Sequence, residues 1–159
     1  ALLSILNPLT GKLADKIGFK PTMLVGMAMI VAGWFVGLFL INQMSLWIMI
    51  LCAMVIEGGN AFVMMPAVTL GANSLPNELV PHGTAVITTV RQVLGSTGVA
   101  VSTIILTTVT SHNLSHGMGN LSAALGGYHY VFLTMLFVEI IGLLLALALK
   151  NTVKKDAKA

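Results

Sequence analysis

Gly11-Lys-Leu-Ala-Asp-Lys-Ile-Gly-Phe-Lys20 is a hydrophilic stretch set between two strongly apolar ones. It holds Lys12, Lys16 and Lys20, three of the eight Lys and Arg residues in the sequence. Lys and Arg in excess in a short loop mark the cytoplasmic side of a membrane protein. Gly11 and Gly18 suit turn positions with positive φ, which glycine adopts without steric penalty. Asp15 is placed to cap or charge-stabilise the N-terminus of a neighbouring helix. With one carboxylate among three lysines, the loop can act as a latch as well as a connector.

The rest of the chain is what such a loop requires. Of its 159 residues 57% are hydrophobic and 8% charged, with a mean hydropathy of +0.96, against about 25% charged residues in soluble domains. That composition predicts an all-α polytopic membrane protein, multi-pass and in contact with the lipid bilayer. The net charge of +3 lies in loops and tail, so it reports orientation over an anionic inner leaflet rather than nucleic-acid binding. The single cysteine, Cys52, sits in an apolar run, which excludes a disulfide framework and a Cys-based metal site. Residues 1–9 are apolar but too few to cross a bilayer, which takes about 20. The chain is therefore expected to be the C-terminal part, residues 1–159, of a longer transmembrane domain whose N-terminal half is its partner.

Four full spans follow the partial one. Residues 21–41 carry no charge, and Pro21 suits a first helical turn because its missing N–H would be unpaired there anyway. Gly33 and Gly37 form a Gly-x-x-x-Gly pair that permits close helix approach. After a minimal turn, residues 46–71 form the second span, interrupted by Glu57, Gly58, Gly59 and Pro66. A polar loop is expected over 72–83, a third span over 84–109 containing Arg91, Gly95 and Gly98, an external loop over 110–127, a last span over 128–149 with Glu139, and a cytoplasmic tail over 150–159. Lys12, Lys16, Lys20, Lys150, Lys154, Lys155 and Lys158 then all fall on one side and none on the other. Both ends of the chain are predicted to be cytoplasmic.

The pattern Gly-x-x-x-Asp-Lys/Arg-x-Gly-x-Lys/Arg, met at Gly11, Asp15, Lys16, Gly18 and Lys20, resembles the cytoplasmic loop signature of the major facilitator superfamily. Phe19 departs from it, standing where a second basic residue is common. The runs Glu57-Gly-Gly-Asn-Ala-Phe-Val-Met-Met-Pro66 and Val90-Arg-Gln-Val-Leu-Gly-Ser-Thr-Gly-Val-Ala100 resemble helices of the fourteen-helix drug:proton antiporters, a family of bacterial multidrug exporters. Glu57 stands where a neutral glutamine often precedes the glycine. The resemblance implies part of the C-terminal bundle of a secondary transporter that exports hydrophobic or cationic drugs against proton entry. It also implies alternating access, two bundles rocking about a midplane site. A solute uptake permease of the same superfamily and a non-transporting membrane scaffold subunit stand as the alternatives.

Charges within spans are costly and normally face a cavity or a partner, so Glu57, Arg91 and Glu139 are the candidates for proton coupling or for lining a cavity. By helix rise, Glu57 is placed about 20 Å and Arg91 about 10 Å from the cytoplasmic ends of their spans. A direct or water-bridged pair between them is open, as is a purely structural role for either. Met49, Met54, Met64 and Met65 give the second span a soft surface that suits varied apolar ligands. No nucleophile–base set stands out, so no enzyme, no catalytic residue and no cofactor is expected. His112 and His116 have i, i+4 spacing, but no third ligand lies near in sequence and no metal centre is expected from them.

Overall fold

The computed structural model describes residues 10–14, 16–43, 45–73 and 75–148. Asp15, the partial span over 1–9 and the tail over 150–159 lie outside the described residues. Residues 10–14 and 16–17 are helical, so the hydrophilic stretch is mostly helix rather than open loop. Among the described residues it breaks at Gly18, with φ 96°, a left-handed conformation that only glycine adopts cheaply. The Gly18 N–H donates to the Ala14 carbonyl at 2.9 Å, and the Thr22 hydroxyl donates to the Gly18 carbonyl at 2.9 Å. Gly18 thus ends one helical segment and begins the next. Gly11 has no positive φ; it sits within a helical turn, contrary to expectation.

Four long helices follow, α1 (Phe19–Phe39), α2 (Leu46–Asn73), α3 (Val80–Ser115) and α4 (Asn120–Ala148). Each is long and apolar enough to cross a membrane, and the described residues include no strand. A 3₁₀ turn over Ile41–Gln43 joins α1 to α2, and the Ser45 hydroxyl accepts from the Ile48 N–H at 3.4 Å as α2 begins. Helix α2 runs on through Pro66, which is fully buried.

Helices α3 and α4 are longer than the sequence implies. α3 starts at Val80, not 84, because Pro81 occupies its first turn, where proline suits the helix. At the other end the external loop expected over 110–127 reduces to residues 116–119. The Gly117 N–H donates to the Leu114 carbonyl at 3.0 Å and the Met118 N–H to the Asn113 carbonyl at 3.1 Å, with Gly117 at φ 81°. These are the paired bonds of a Schellman cap. Hydroxyls along α3 are absorbed by donation to the carbonyl four residues back, as at Thr88, Ser96 and Thr107. α4 in turn starts at Asn120 rather than 128.

Around the bundle the order is α2, α1, α4, α3, with α1 packed on both α2 and α4, and α4 on α3. The α1–α2 contact is backbone to backbone. A Cβ on Gly26 would stand 2.6 Å from the Gly59 carbonyl oxygen, and one on Gly59 would stand 2.5 Å from the Gly26 oxygen. Gly33 fits against Ile56 of α2, while Gly37 faces the Phe132 ring of α4, whose edge also meets Trp34 with ring centres 5.3 Å apart. At the far end of α3, a Cβ on Gly127 would meet the Thr110 hydroxyl at 2.5 Å.

Candidate functional site

Gly59 decides where the acidic residue of α2 points. It is buried against α1, and a residue two positions earlier lies about 200° round the helix. Glu57 therefore faces away from α1 and is exposed, with Asn60, one turn on, exposed beside it. The same helix presents Met49 and Met54 as exposed side chains.

Helix α3 supplies the other charge. It is fastened at both ends and stands off in the middle. Near its start Ile87 lies against Gly71, and Gly83 against the Leu75 side chain. Near its end Thr110 and Asn113 meet α4, the Asn113 amide donating to the Ala123 carbonyl at 3.5 Å. No residue of α3 is buried, and residues 88–97 are all exposed. Arg91 and Gln92 stand in that stretch, followed by Gly95 and Gly98, neither of which has a neighbour within 4 Å of its would-be Cβ.

Among the described residues no ion pair joins Glu57 to Arg91. Both charges lie deeper than the sequence places them. Counted from Asn73 and Val80, the ends joined by the connecting turn, Glu57 lies about 24 Å along α2 and Arg91 about 16 Å along α3. Glu139 is partly buried on α4, and among the described residues α4 does not touch α2. The structure thus leaves Glu57 and Arg91 each exposed on adjacent helices and Glu139 on a helix apart from Glu57. Asn60 and Gln92 were missed in the sequence; an exposed amide one turn or one residue from an intramembrane charge is the signal that marks them.

Two further features lie elsewhere in the bundle. Lys20 donates to the Leu147 carbonyl at 2.7 Å, so the last basic residue of the hydrophilic stretch holds the C-terminal turn of α4. Lys16 is exposed. Between α3 and α4 an open groove of about 290 Å³ is lined by Leu106, Thr107, Thr110, Ser111, Ala124 and Tyr128. The Thr110 hydroxyl beside it is buried without a hydrogen-bond partner.

The bundle is made of four helices long and apolar enough to cross a membrane, with exposed charges on two of them. The family model described as Major Facilitator Superfamily matches residues 1–159. The chain belongs to the major facilitator superfamily. Among its relatives in the superfamily is the uncharacterized MFS-type transporter YcnB of Bacillus subtilis, 34% identical over 153 residues, covering 94% of this chain and 31% of that protein. The lincomycin resistance protein LmrB of Bacillus subtilis is 33% identical over 165 positions, covering 98% of this chain and 33% of LmrB. LmrB of Listeria monocytogenes is 31% identical over 156 residues, covering 94% of this chain and 33% of its own length. This chain thus spans about a third of the length of the curated relatives it matches. No solved structure matches it significantly. Membership in the superfamily makes it a multi-pass membrane protein of a transporter family rather than an enzyme family.

Proposed function

We propose that the chain is part of the C-terminal helix bundle of a proton-coupled exporter in the cell membrane, which moves hydrophobic or cationic drugs by alternating access. The observation that carries this is the exposure of Glu57 and Arg91, unpaired with each other, on helices apolar enough to cross a bilayer. A charge at the bilayer centre costs about 2.5–3.5 kcal/mol on insertion scales, so groups of this kind face a water-filled cavity or a partner. The cavity would lie between this side of α2 and α3 and the rest of the protein. There Glu57 would exchange the proton, Arg91 would set the local field, and Asn60 and Gln92 would offer hydrogen bonds to a substrate.

The remaining expectations fit the same scheme. Met49 and Met54 offer a soft apolar wall, and Gly95 and Gly98, with nothing within 4 Å of a would-be Cβ, would let a helix of the other half come close. Gly11, Asp15, Lys16, Gly18 and Lys20 would latch the cytoplasmic side, with both ends of the chain on that side. Glu139, on the far helix, would have at most a supporting role. Three relatives carry the name lincomycin resistance protein, which supports export of a drug over uptake of a solute.

The full-length gene, expressed in cells lacking their own exporters, tests this by efflux of ethidium and of lincomycin. Wild type should lower the accumulation of at least one of them, collapse of the proton gradient should abolish the effect, and Glu57→Gln should remove proton-driven efflux. Cells that export neither compound would sink the exporter assignment. Normal efflux by Glu57→Gln would remove Glu57 from coupling and leave transport standing.

A further inference from the structure

His112 and His116 stand one helical turn apart at the end of α3, both exposed, with ring centres 4.2 Å apart. The transport site uses neither. His116 Nδ1 lies 2.9 Å from the His112 carbonyl oxygen, which can only accept. It also lies 3.3 Å from the Ser115 hydroxyl oxygen, whose own proton is given to the same carbonyl at 2.7 Å. Both neighbours therefore act as acceptors, so Nδ1 carries the proton and the neutral ring keeps its lone pair on Nε2. Metal-binding histidines are oriented in this way, one ring N–H fixed on a backbone carbonyl and the other nitrogen turned to the ion.

We propose that His112 and His116 form a two-histidine site for a divalent transition metal ion, with water in the remaining positions. Two nitrogens bound to one ion at about 2.0–2.1 Å stand about 3 Å apart. With the His116 ring held on the carbonyl, the His112 imidazole one turn earlier reaches that spacing by rotation about its own χ2, a torsion with a broad minimum. Imidazole donors select copper, nickel or zinc over magnesium and calcium, and copper binds tightest of the three. Among the described residues no group of three or more His, Cys, Asp or Glu side chains gathers to hold an ion. Two histidines with water in the remaining positions make an open, exchangeable site rather than a closed structural one. An ion there bridges the last turn of α3, beside the cap that Gly117 completes.

Titration of Cu²⁺ into the full-length protein, freed of any histidine tag and followed by electron paramagnetic resonance, tests the site. Wild type should show a species with two equivalent imidazole nitrogens. His112→Gln and His116→Gln, conservative changes on an exposed face, should each remove that species and weaken the binding at least about tenfold. His129→Gln should leave it intact. A wild-type spectrum without a two-nitrogen species overturns the proposal whatever the variants do, and so does a two-nitrogen species that survives both substitutions or is lost with His129.

Discussion

At Gly59 the absence of one methyl group settles the orientation of a whole helix. A Cβ there would stand 2.5 Å from the Gly26 oxygen and 2.6 Å from Ile30 Cγ1, so Gly59→Ala must push α1 and α2 apart. Overpacking of this kind costs about 1–3 kcal/mol, which should appear as a lower unfolding midpoint of the purified full-length protein. Gly11→Ala, placed in a helical turn with nothing within 4 Å, should leave the midpoint unchanged or raise it. An equal loss at both positions would mean that the Gly26–Gly59 contact does not hold the helices. The sequence marks Gly33 and Gly37 by their spacing, and both do lie at helix contacts, but with different partners. Spacing along one helix reports a shared face; it carries no information about which distant residue meets that face. For that reason the Gly26–Gly59 contact, 33 positions apart in the chain, could not be read from either segment alone.

Each helix end has its own chemical stop, and two of these were open to misreading. Thr110 to Gly127 is polar and Gly-containing, so it reads as a loop, yet α3 runs on to Ser115, whose hydroxyl donates to the His112 carbonyl at 2.7 Å instead of breaking the helix. Gly117 was the legible stop, since a helix closing on a Schellman cap needs a residue in the left-handed region. Gly117→Val, at φ 81°, should cost about 1–2 kcal/mol, measurable as a lower unfolding midpoint, while Gly119→Ala, without positive φ, should cost far less. At the opposite end Lys20→Met removes the bond to the Leu147 carbonyl. A cation at a helix C-terminus contributes about 0.3–1 kcal/mol, so amide exchange in the last turn of α4 should quicken several-fold in the Lys20 variant and stay as it was in Lys16→Met. Equal protection in both variants would show that Lys20 does not hold α4.

For the molecule as a whole, fold class and helix number were legible because charge-free runs of about 20 residues and one-sided lysines have few other physical causes. Glu57 and Arg91 were legible as candidates for the same reason, a buried charge being too costly to place idly. Their depths were less legible, because these depend on where α2 ends and α3 begins, and a start at Val80 instead of 84 changes Arg91's level by about a full turn. Everything proposed for these two charges further requires that the four helices alternate across the membrane, which gives the connecting turns a strict order. In a full-length Cys52→Ser background, single cysteines at Lys16 and Glu78 should react with an impermeant thiol reagent from one face of the membrane. Cysteines at Gln43 and Gly117 should react from the opposite face. If Lys16 and Glu78 label from different faces, one of α1 and α2 does not cross. Glu57 would then lie outside the bilayer level of Arg91, and the shared cavity that the transport proposal needs would not exist.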